Sequence, residues 1–71
     1  MEESIKGVLV EAAMTRQRKE TVERAVGRAV RRKGMDYSMY IAAMSELRDL
    51  ATSMSLGVEE ALESLQKEQK G

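Results

Sequence analysis

Apolar residues recur along this chain at helical steps, and nowhere do they alternate with polar ones as in a half-buried strand. From Tyr37 the series runs Tyr40, Ile41, Met44, Leu47, Ala51, Met54, which puts one apolar stripe on a helix spanning 37–55. Val58, Ala61, Leu62 and Leu65 repeat the same spacing and predict a short last helix over 58–69. Upstream, Ile5, Val8, Ala12, Thr15, Lys19, Val22, Val26, Ala29 and Lys33 hold a heptad register through a basic segment, 3–33. That register favours one long helix. Its middle is polar, at Thr15 and Lys19 inside "TRQRKET", so the rival is two helices joined near 15–20 with Thr15 as the N-cap. No Gly or Pro enforces a break there.

Punctuation is clear elsewhere. Arg31, Arg32 and Lys33 place cations where a helix dipole favours them, Gly34 suits a left-handed C-terminal cap, and Asp36 can cap the next helix. Gly57 is the expected stop before the last helix, with Glu59 and Glu60 in its first turn. The expected fold is all-α, a small helical bundle forming a single domain, 1–71. It comprises a long N-terminal helix (or two helices), an antiparallel return helix and a short acidic C-terminal helix.

Composition changes the picture in one respect. A chain of 71 residues without Phe, Trp, Cys or His must build its core from Leu, Ile, Val, Met and Ala, with neither disulfide nor Cys/His zinc site to staple it. Self-association is the remaining device, so we expect the bundle to be completed as a dimer. The candidate face for a second copy or a protein partner is Val22, Val26, Tyr37, Tyr40, Met44 and Leu47. Six Met in a chain without Phe read first as filler of a small core.

Charge sharpens the functional reading. The net charge is zero, yet residues 1–35 carry nine Lys or Arg against five Glu, and residues 36–71 carry three against seven acids. The halves can rest on each other or on an external partner. In "VERAVGRAVRRKG", Val22, Ala25, Val26, Ala29 and Val30 fall on one side of a helix, and Arg24, Arg28, Arg31 and Arg32 on the other. Only Arg24 has a Glu four residues before it, so the stripe lacks local partners and suits an anion, carboxylate or phosphate. Zero net charge and the scarcity of rings argue against nucleic acid, and Tyr37 and Tyr40 fall on the apolar face of the next helix. A helix-turn-helix reading of residues 47–65 fails because Glu59, Glu60 and Glu63 would face phosphate.

Catalysis has little to work with. His and Cys are missing, no Gly-rich phosphate loop occurs, and no cofactor or metal ligand set stands out. The acidic "MEE" start is unlike a secretory leader, and no stretch is long and apolar enough for a bilayer, so we expect a cytoplasmic protein that does not engage membranes. The expected function is a non-catalytic regulatory or adaptor module that binds a macromolecule through a helical surface, as an oligomer, with no small-molecule substrate. The alternatives are a nucleic-acid-binding protein or small transcriptional regulator gripping phosphates with the Arg stripe, and a purely structural oligomerisation element.

Overall fold

The computed structural model describes residues 1–70 and consists of four helices: α1 (Glu3–Thr15), α2 (Val22–Arg32), α3 (Tyr37–Met54) and α4 (Val58–Lys70). Gly71, the end of the expected 1–71 domain, lies outside the described residues. The all-helical bundle is as expected. The favoured continuous first helix is not: the chain leaves the helix after Thr15 and re-enters it at Val22.

The polar seam positions are where the helix yields. Thr15 ends α1, its hydroxyl donating back to the Glu11 carbonyl at 2.8 Å, and Lys19 sits in the left-handed region at φ 69°. A continuous helix would have aimed both at the core. The chain instead turns at Gln17–Glu20, where the Glu20 N–H donates to the Gln17 carbonyl at 3.0 Å. The N-cap is therefore not Thr15 but Thr21, whose hydroxyl oxygen accepts from the Arg24 N–H at 3.2 Å.

The other boundaries follow from caps. Gly34, at φ 70°, closes α2 with the two bonds of a Schellman motif, Met35 N–H to Val30 carbonyl and Gly34 N–H to Arg31 carbonyl, each 3.0 Å. Asp36 then caps α3, accepting from the Met39 N–H at 3.4 Å and from the Ser38 hydroxyl at 2.6 Å, and these bonds hold its carboxyl below the usual range. At the far end Ser55, not Gly57, takes the left-handed C-cap role (φ 57°); Gly57 instead precedes α4, accepting from the Ala61 N–H at 3.0 Å.

Four amphipathic faces meet in one core, with α1 packed against all three other helices and α3 against α4. Val8, Leu9, Val26, Leu47 and Leu62 are fully enclosed, and no charged or polar residue is buried among the described residues. Seven of the seventeen buried core residues are Ala, so the helices approach closely where a Phe-bearing core would hold them apart. The break after Thr15 lets α1 and α2 each turn an apolar stripe inward, so the core closes within one chain.

Candidate partner-binding groove between α2 and α3

The four stripe arginines have three different fates. Arg28 is tied inward: its guanidinium pairs with the Glu20 carboxylate and donates to the Thr15 carbonyl at 2.9 Å and hydroxyl at 3.3 Å. Arg32 reaches α1, its Nε 3.6 Å from a Glu11 oxygen, and Lys33 approaches the same carboxylate at 3.9 Å. Arg24 and Arg31 are exposed and enter no ion pair among the described residues.

Glu20 is the hinge pin of the α1–α2 junction. Its carboxylate accepts from Arg28 and from the Gln17 N–H (2.9 Å), and its carbonyl accepts from Arg16 Nε (2.9 Å). The Arg28 bond, seconded by Gln17, lowers its pKa from the ordinary value. Arg16 also reaches across to α4, 3.4 Å from Glu59 and 4.0 Å from Glu63. Part of the charge split between the two halves of the chain is therefore satisfied internally, through a residue that the stripe reading did not single out. Its only sequence signal is position, an Arg directly after the last seam residue of α1.

The six-residue seam divides in two. Val22, Val26, Met44 and Leu47 are enclosed in the chain's own core and are not offered to a partner by the folded chain. Tyr40 is half-buried, and Tyr37 is 71% exposed. Ile41, one turn beyond Tyr37 and expected to face inward with it, is 49% exposed. The inward stripe of α3 is thus narrower than the sequence pattern, because α2 covers only one edge of it.

The rings also stand where the sequence reading did not put them. The Gly34 turn folds the start of α3 back along the end of α2, so Tyr40 packs over Gly27; a Cβ on Gly27 would lie 3.9 Å from its ring. Tyr37 and Tyr40 stack on each other with centroids 5.5 Å apart and planes at 21°. The result is an open groove of about 700 Å³ whose walls carry Arg24 and Arg31 on one side and the two rings on the other, with Val30 and Met35 between. Three carboxylates, Glu20, Glu23 and Asp36, share its rim. Two of these are already engaged, Glu20 by Arg28 and Asp36 by the α3 cap.

Such a surface can do recognition chemistry: charge-assisted hydrogen bonds from two planar guanidinium forks, stacking on two aromatic faces, and burial of apolar area. No group of three or more metal-ligating side chains converges among the described residues, and no helix is long and apolar enough to cross a membrane. No protein-family model matches the chain, and comparison with curated proteins and with solved structures finds no similar one.

Proposed function

We propose that this chain is a non-catalytic adaptor or regulatory module that works by binding another protein through its α2–α3 face, as an oligomer. One observation carries the reading: Arg24 and Arg31 stand without ion-pair partners beside an exposed Tyr37, in a fold that ties Arg16 and Arg28 inward. Arg, Tyr and Met are the residue types enriched at protein interfaces, and all three line this groove. Protein is favoured over nucleic acid because Glu23 and its two acidic neighbours sit on the same rim and repel a phosphate chain. Phosphate binding is further weakened by the loss of Arg28 to its internal pair: three remaining arginines imply a log–log salt slope of about −2.7, where four would give about −3.6.

A photo-reactive side chain at position 37 tests the reading in extract from the source cells. The expected result is a crosslink to protein that disappears when Arg24 and Arg31 are both changed to Glu and persists when Arg48, an exposed cation of α3 outside the groove, is changed instead. A crosslink to nucleic acid, or a protein crosslink indifferent to the Arg24 and Arg31 changes, rejects it.

A further inference from the structure

The groove between α2 and α3 is neutral by count, with three arginines against three acids, but not by what remains unpaired. Glu20 is fastened to Arg28, and Asp36 is taken up by the α3 cap. Glu23 is the one groove acid left free among the described residues. Against it stand two exposed cations, Arg24 and Arg31, equally without ion-pair partners. The free charge of the groove is therefore positive.

The two cations are set at a helical repeat. Arg24 and Arg31 are seven residues apart on α2, two turns, so their Cα atoms share one stripe and lie about 10.5 Å apart along the axis. Gly27 leaves that stripe bare between them. Arg31 leans back over it, in the direction long helical side chains take, with Nη1 3.8 Å from where a Gly27 Cβ would stand. The Tyr40 ring borders the same spot at 3.9 Å. Val30, Met35 and the exposed Tyr37 ring add apolar surface beside the cations.

We infer that this groove receives an acidic amphipathic helix of another protein, with carboxylates two turns apart on its contact face and an apolar side chain between them. A helix is favoured over an extended peptide because the groove is walled by helices. Their backbone N–H and C=O groups are spent inside α2 and α3, and no strand edge is offered for pairing. Carboxylates at the helical repeat meet both guanidinium forks at once, and the apolar side chain packs against the rings. A second copy of this chain does not supply the match, since none of its twelve acids stands seven residues from another. A phosphate chain lacks the apolar side chain and meets Glu23 on the rim. This inference rests on the proposed protein-binding role and names the chemistry of the partner.

Tyrosine emission is a specific reporter for the test, because Tyr37 and Tyr40 are the only aromatic side chains of the chain and both line the groove. The probe is a lactam-bridged helical peptide free of aromatic residues, bearing two Glu two turns apart with Leu between them. It is expected to change the emission saturably below millimolar peptide. Replacing both Glu of the probe by Gln weakens binding about tenfold, and so does the Arg24→Gln, Arg31→Gln double variant of the chain. Arg48→Gln, outside the groove, leaves binding unchanged. Arg24→Glu with Arg31→Glu reverses the preference, toward the peptide with Lys in place of Glu. Circular dichroism confirms the helicity of each variant. Emission that does not saturate overturns the inference, as do Glu and Gln peptides that bind alike. So does a charge-reversed chain that still prefers Glu, or tighter saturation by single-stranded DNA than by the Glu peptide. If the probe fails while the crosslink at position 37 still depends on Arg24 and Arg31, the acidic helix is rejected and protein binding stands. If that crosslink fails its own test, the underlying reading falls with it.

Discussion

The α2–α3 hairpin has a closed side and an open side, built from the same short stretch of chain. On the closed side Val22, Val26, Met44 and Leu47 are sealed in the core, and Arg28 is fastened to Glu20 and Thr15 at the α1–α2 junction. On the open side Arg24, Gly27 and Arg31 face a groove rimmed by Tyr37. Arg28 and Arg31 are three residues apart on one helix and identical in kind, yet one completes the fold and the other has no internal partner. What separates them is whether a carboxylate and a free carbonyl lie within reach. The helix break supplies both for Arg28, by turning Glu20 back and leaving the Thr15 carbonyl, at the end of α1, free to accept.

The comparison is broken most forcefully through the seam residues, which sequence pattern alone treats as equivalent. Leu47→Ala removes a fully enclosed side chain and is expected to cost about 2–5 kcal/mol. Tyr37→Ala removes a larger side chain, yet one that is 71% exposed, and should cost only its stacking contact with Tyr40, about 0.5–1.5 kcal/mol. Urea denaturation of both variants checks this. Equal losses would mean that the two sides are not distinct.

The arginines come next. Arg28→Ala leaves the Thr15 carbonyl and the part-buried Glu20 carboxylate without their partner, so its midpoint in the same titration should fall clearly below wild type. Arg31→Ala strips only solvated charge from the isolated chain and stays within about 0.5 kcal/mol. If the two variants unfold together, the Arg28 clamp contributes nothing that Arg31 does not.

Acid sharpens the same contrast. Glu20 has its pKa depressed by Arg28 and Gln17, so its contribution is present in full above the unfolded carboxylate value of about 4.3, and is lost as pH falls through the lower folded value. Melting temperature should hold steady from neutral pH down to that point and decline below it. Asp36, depressed by Ser38 and Met39, acts in the same direction. Glu20→Gln should flatten the first part of the decline. A decline of the same size in that variant would remove Glu20 from the account.

How much of this was legible beforehand depends on the range of the interaction that decides it. The all-α class, the Gly34 stop, the Asp36 cap and the last helix are set by neighbours within one turn, and sequence pattern reads them directly. The break after Thr15 is set by Arg28, thirteen residues on from Thr15, and by Arg16 and Glu20 across the loop. A heptad template registers Thr15 and Lys19 as tolerable polar seam positions and continues the helix. The candidate site suffered similarly. Periodicity placed the Arg stripe and both rings on opposite-facing surfaces of separate helices. Only the angle at which α3 returns along α2, through the Gly34 turn, brings Tyr37 and Tyr40 beside Arg24 and Arg31.

The smallest expected effect bears most directly on that break. Lys19 occupies the left-handed region, where a side chain costs about 1 kcal/mol or more and glycine is at ease. Lys19→Gly relieves that cost but gives the unfolded chain extra freedom worth about 0.4–1 kcal/mol, so the net change should be near zero or slightly stabilising. The same substitution at Arg31, in the last turn of α2, has no strain to relieve and should cost up to about 1 kcal/mol. Two glycines on cationic surface positions twelve residues apart should therefore differ in effect, and careful urea midpoints can resolve the difference. Had the first 33 residues formed one helix, both would cost alike, because Lys19 would then be as helical as Arg31. Equal losses would return the chain to the continuous helix that its heptad register favours, and would take the junction, the Arg28 clamp and the groove geometry with it.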